Sequence, residues 1–219
     1  MSGCPFSTDR RSLLMGLGLG ALGTLAPAAH AEGAAPQRNV DDAPHGQAET
    51  AAQSVPFHGP HQAGIVTPRP ANGIVAAFDM VATSLDDVEA MLRRLTERAA
   101  FLTQGGPVPE RDPRLPPADS GLLGPVVAPD NQTITLALGD SFFEAQPALK
   151  PLKPARLQRM VQFPNDALEA DVCHGDIMVQ FCANLQDSNI HALRDIVKNL
   201  SEYLVLRWVY EGSVPPVPS

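Results

Sequence analysis

Hydrophobic and polar positions alternate with two different periods along this chain, and the changes between them predict its elements. Gly73-Ile74-Val75-Ala76-Ala77-Phe78-Asp79-Met80-Val81 is a short apolar run of the kind that forms a buried strand. The period then changes. Leu85, Val88, Met91, Leu92, Leu95, Ala99 and Leu102 fall on one stripe of a helix. Ser84 and Asp87 read as its capping box, and Gly105-Gly106 ends it. Glu89, Arg93, Arg94, Glu97 and Arg98 lie mostly off the stripe and read as a solvated face.

Thr133 to Gly139 predicts a second strand, and Ser141 to Leu149 a short helical turn. Asp176 to Asn184 is apolar on both faces apart from Gln180, which predicts a third strand placed centrally in the sheet. Asp187 and Ser188 are candidate caps for a second helix, with the stripe Ile190, Leu193, Ile196, Val197 and Leu200. Tyr203 to Glu211 alternates again and predicts a fourth strand. The order βαββαβ is that of an α+β ferredoxin-like sandwich, an antiparallel sheet with helices on one face.

Composition sharpens the boundaries. Among 219 residues, 22 are proline and 17 glycine, which implies long irregular connections such as 107–132. Phe57 to Pro68 holds two histidines, two glycines and two prolines, leaving no room for a regular helix, and reads as the entrance to the fold. Residues 32–56 contain almost no large apolar side chain and read as a disordered tether. Arg10-Arg11 before an apolar, glycine-rich stretch, followed by Ala29-His30-Ala31, reads as a twin-arginine signal over 1–31 cut between Ala31 and Glu32. That stretch is too short for a membrane span, so no span is expected after its removal. The divisions are then 1–31 signal, 32–56 tether, 57–212 folded domain and 213–219 tail.

A formal net charge of −8 argues against nucleic acid or an anionic membrane as partner. With Cys4 lost in the signal, Cys173 and Cys182 flank one strand too far apart to bridge, and read as two buried thiols. Lys150, Lys153, Arg156 and Arg159 form a basic segment, read as a solvated loop.

The histidines are the candidate chemistry. His58 and His61 are spaced as two metal ligands are, but a third and fourth do not follow. His174 precedes Gly175-Asp176 at a strand start, and His191 has Asp187 and Asp195 one helical turn to either side. No nucleophile elbow, phosphate loop or zinc motif occurs, so the residues alone name no reaction.

Taken together, several segments resemble one family. Phe57-His58-Gly59-Pro60-His61-Gln62-Ala63-Gly64-Ile65 resembles the entry motif of the dye-decolourising peroxidases. Phe101 to Gly106, Pro113 to Leu138, Phe163-Pro164-Asn165-Asp166 and His174-Gly175-Asp176 through His191-Ala192-Leu193-Arg194-Asp195 resemble its twin-arginine-exported deferrochelatase/peroxidase branch. The resemblance covers about residues 55–212. It implies a periplasmic haem b enzyme that reduces hydrogen peroxide and releases iron from haem, built from two ferredoxin-like domains of which this chain is the first. It also implies that the distal aspartate of a Gly-x-x-Asp-Gly motif, the distal arginine and the proximal histidine lie in the second half.

No Gly-x-x-Asp-Gly occurs here, so no catalytic residue is expected in this chain. His58, His61 and His174 remain the candidates for cofactor contact, with no separate metal site. The chain is then expected to be an inactive N-terminal half, partnered by a C-terminal peroxidase half or by a second copy. The alternative is a non-catalytic ferredoxin-like binding or assembly module.

Overall fold

The computed structural model describes residues 51–214, excepting 69, 111, 113, 115, 116 and 118. The signal segment with Ala31 and Glu32, most of the tether and residues 215–219 lie outside the described residues.

Six segments build the ferredoxin-like sandwich: β1 (Asn72–Met80), α1 (Leu85–Gln104), β4 (Thr133–Leu138), β5 (Ile177–Ala183), α3 (Gln186–Asn199) and β6 (Leu204–Ser213). Between them lie a two-stranded ribbon of β2 (Gly106–Pro107) and β3 (Val126–Val127), and the short helix α2 (Asp140–Glu144). The main sheet runs β4-β5-β1-β6, with every neighbouring pair antiparallel. The apolar run of β5 is therefore central, as its two-sided composition predicts. Its pairs Ile74↔Phe181 and Leu136↔Val179 place alternate side chains on the face under the helices. Ile74, Ala76, Phe78, Ile177, Val179 and Phe181 are buried there, against Met91, Leu95, Leu102, Ile196 and Leu200. A bulge between Ala77 and Phe78 passes over Arg207 of β6 and turns its guanidinium back to Asp79 at 3.1 Å.

The capping box forms as its residues predict. The Asp87 N–H donates to Ser84 Oγ, and the Ser84 N–H to Asp87 Oδ2, each at 3.1 Å. Gly105 ends α1 at φ 71°, and Leu85, the first member of the expected stripe, is 46% exposed because it precedes the turn that meets the core.

α3 departs further from expectation. Its buried residues are Ser188, Asn189, His191, Ala192, Asp195 and Ile196, while Ile190 and Leu193 lie half-buried and Val197 exposed. The helix is rotated so that polar side chains with partners elsewhere face inward. Its expected caps are also corrected. The cap position is Leu185, which has no capping side chain, and Asp130 supplies the function across the sequence. Asp130 Oδ2 accepts from the Leu185 N–H at 2.9 Å and from Ser188 Oγ at 2.7 Å.

Three further readings change. The connection 107–132 holds the β2–β3 ribbon, paired Gly106↔Val127 and Pro107↔Val126. Cys173 and Cys182 are free thiols, but half-buried rather than buried. The Ala51 and Gln53 carbonyls, within the expected tether, accept from the Asp130 and Asn131 N–H groups at 2.8 and 2.7 Å, so contacts with the folded domain begin before Phe57.

Candidate functional site

The candidate histidines fall in two separate places. The first is the entry segment, which crosses β4 at the edge of the sheet. A strand edge exposes unpaired N–H and C=O groups, and Gln62 meets one such pair with its side-chain amide. Gln62 Nε2 donates to the Leu136 carbonyl at 3.1 Å, and the Leu136 N–H donates to Gln62 Oε1 at 2.9 Å. The Thr135 hydroxyl donates to the Ala63 carbonyl at 2.7 Å. Gly64 follows at φ 99°, where a Cβ would collide with Thr135 Oγ1, so both conformation and space require glycine.

These anchors hold residues 57–63 over a cavity of about 370 Å³. Its floor is Leu95, Ala99, Ile134, Leu136 and Val179, and its rim carries His58 and His61. Both imidazoles are exposed, and that of His58 meets the Phe57 ring edge-on at 4.9 Å.

The second place is a polar cleft of about 510 Å³ at the N-terminal end of β5. His174 lines it with an exposed side chain and a left-handed backbone, φ 62°, while its carbonyl accepts from Trp208 Nε1 at 2.7 Å. Asp176 Oδ2 is committed to the Met80 N–H at 2.8 Å. Lys153 of the basic segment bonds Asp140 at 2.6 Å and Glu144 at 3.2 Å. Those two hydrogen bonds, Asp140's the larger, raise the Lys153 pKa, and the bonds from Lys153 and then Lys150 lower that of Glu144. Half of the basic segment is thus neutralised internally. His58 and His61 share no lining residue with His174, and no group of three His, Cys, Asp or Glu able to hold a metal occurs among the described residues.

A third cluster is buried beneath α3. Arg98 Nε and Nη2 donate to the two Asp195 carboxylate oxygens at 2.8 and 2.6 Å, and the guanidinium stacks over Phe101 at 4.8 Å. Arg98 is therefore not part of the solvated face. His191, fully buried, pairs through Nε2 with Asp119 of the long connection, not with Asp187 or Asp195. Its Nδ1 is buried without a hydrogen-bond partner among the described residues. Burial works upward on the Asp119 carboxyl, but the hydrogen bonds from His191 and the Gly121 N–H hold it below its usual value. The Lys198 ammonium donates to the Pro117 carbonyl beside it.

Sequence reasoning misses Gln62, Asp119 and Asp130 as structural partners. Asp130-Asn131 is at least turn chemistry, and both residues take φ near +50°. Nothing local distinguishes Gln62 or Asp119.

Residues 62–213 match the family model described as Dyp-type peroxidase, N-terminal. The chain is 49% identical over 208 residues to a deferrochelatase of Escherichia coli O157:H7, covering 94% of this chain and 48% of the relative. Deferrochelatase of Escherichia coli K12 is 49% identical over 209 residues with the same coverage. Among solved structures, a DyP-type peroxidase from Cellulomonas bogoriensis superposes with TM-score 0.65 and 33% identity over 75% of this chain and 43% of that one. The chain spans about half the length of the curated relatives it matches.

Proposed function

Because this chain belongs to the Dyp-type peroxidase family, we propose that it forms the first of two ferredoxin-like domains of a haem peroxidase of the deferrochelatase kind. The observation that carries this reading is the likeness to deferrochelatase along nearly the whole chain. The activity we assign to the complete two-domain unit is hydrogen peroxide reduction, with release of iron from haem. We place that unit in the periplasm, exported by the twin-arginine signal at 1–31, on the strength of Arg10-Arg11 and the small residues before Glu32.

The described residues do not fit the axial position of a haem. Such a ligand needs a free imidazole nitrogen directed into an apolar cavity large enough for the macrocycle. His58 and His61 stand exposed on the rim of a small cavity, and His174 is exposed beside a polar cleft. His191 is buried with Nε2 engaged by Asp119, and it lines neither cavity, so its remaining nitrogen faces no space that could hold the macrocycle. We therefore assign the axial ligand and the distal acid–base group to a second ferredoxin-like half, and give this domain the role of scaffold.

Haemin titration of the purified chain tests the assignment. The chain alone is expected to give no stoichiometric Soret band and no peroxide turnover above that of free haem. Adding the part of Escherichia coli deferrochelatase outside the matched region is expected to restore both. A one-to-one Soret band with the chain alone, abolished by alanine at His58, His61 or His174, would overturn the ligand assignment. A mixture that stays inactive would count against the scaffold role.

A further inference from the structure

We infer that the cavity beneath the entry segment is a binding site for a small molecule with an apolar body and a single anionic head group. Its floor is wholly apolar, formed by Leu95 and Ala99 of α1 and by Ile134, Leu136 and Val179 of the sheet. At about 370 Å³ it lies at the lower end of the range of ligand pockets. A hydrophobic body gains from entering such a space in proportion to the apolar area removed from water.

The rim fixes the head group. His58 and His61 are the only ionisable residues among those lining the cavity, and neither ring makes a hydrogen bond among the described residues. No carboxylate among the described residues lines it, so a cationic head would meet no counter-charge there. The other polar groups at the rim are already engaged. Gln62 spends both ends of its amide on Leu136, and the Thr96 hydroxyl donates to the Leu92 carbonyl at 2.8 Å. Two imidazoles with free N–H groups are left to receive an anion or a strong acceptor.

The site is also held open in advance. Gln62 and Ala63 are anchored to β4, and Gly64 turns the chain at φ 99° across the strand edge. Gly59 and Pro60, between the two histidines, supply no long side chain to fill the space. A pre-formed wall spares a ligand the ordering cost of assembling it. This site is independent of the haem assignment, since it uses only residues described in this chain.

Naphthalene-2-sulfonate, an apolar bicycle with one fixed negative charge, is the probe. Isothermal titration of the purified chain is expected to give one-to-one binding with a Kd of about 1 mM. The neutral 2-naphthalenemethanol is expected to bind about fivefold more weakly, as are the sulfonate complexes of His58→Gln and His61→Gln. Thr96→Trp, which blocks the mouth from the exposed side of α1 while leaving the circular dichroism spectrum unchanged, is expected to abolish binding. Absence of sulfonate binding to the wild-type chain would overturn the proposal. So would binding that survives Thr96→Trp, that does not distinguish the neutral analogue, or that is indifferent to both histidine substitutions.

Discussion

Removing Arg98 is predicted to destabilise this fold more than removing its partner Asp195. The reason is the asymmetry of their burial: the Asp195 side chain is 0% exposed and that of Arg98 17% exposed. In Arg98→Met the methylene stem is largely kept, but a carboxylate is left inside without either of its two donors at 2.8 and 2.6 Å. An uncompensated buried charge of this kind costs about 3–5 kcal/mol. In Asp195→Ala the guanidinium keeps its contact with Phe101 and can turn toward water, so the loss is nearer that of one charge-assisted hydrogen-bond pair, about 1.5–3 kcal/mol. The double variant Arg98→Met/Asp195→Leu is expected to lie within about 2 kcal/mol of the native chain, because no orphaned charge remains. Urea unfolding followed by circular dichroism, with m unchanged, measures all three. If Asp195→Ala costs as much as Arg98→Met, or if the double variant is the least stable, the desolvation argument is wrong.

Three other outcomes are expected. Gln62→Ala deprives the Leu136 N–H and C=O of their side-chain partner, and should cost about 1–2 kcal/mol while accelerating hydrogen exchange at Leu136 selectively. Asp130→Ala removes the cap of α3 and should cost about 1–2 kcal/mol, with the first turn of α3 losing protection before the rest. Asp119 has a folded pKa below its ordinary value of 3.8, so its contribution is present above that value and lost as pH falls through the lower one. The native chain should therefore lose stability below about pH 4 more steeply than Asp119→Asn, as thermal unfolding between pH 2 and 7 would reveal.

The fold was legible wherever a single side of an element meets the core. α1 and the four strands of the main sheet follow from period and capping alone, because apolar burial dominates their placement. α3 was legible as a helix but not in its rotation. Ser188, Asn189, His191 and Asp195 occupy inward positions that a hydrophobic stripe cannot predict, since each is made tolerable by a partner contributed from elsewhere in the chain. The same holds for the candidate site. His58 and His61 stand out by residue type, and the structure does bring them to one cavity. That Gln62 between them serves as a substitute strand depends on a contact 74 residues away, which no local signal carries. His174 likewise attracts attention, yet its strained backbone and the Trp208 contact emerge only once β5 and β6 are in place.

The turn at Asp130 has a consequence for how the domain opens. Its backbone N–H bonds Ala51, its carbonyl accepts from Asn184 at 3.3 Å, and its carboxylate receives Leu185 and Ser188. One residue thus joins the segment at Ala51, the approach to β4 and the entry to α3. Local openings elsewhere can be confined to a loop or a frayed end, but these three stretches cannot release one another separately. They constitute a single cooperative unit, in which loss of the leading residues is transmitted directly to a helix more than a hundred positions downstream.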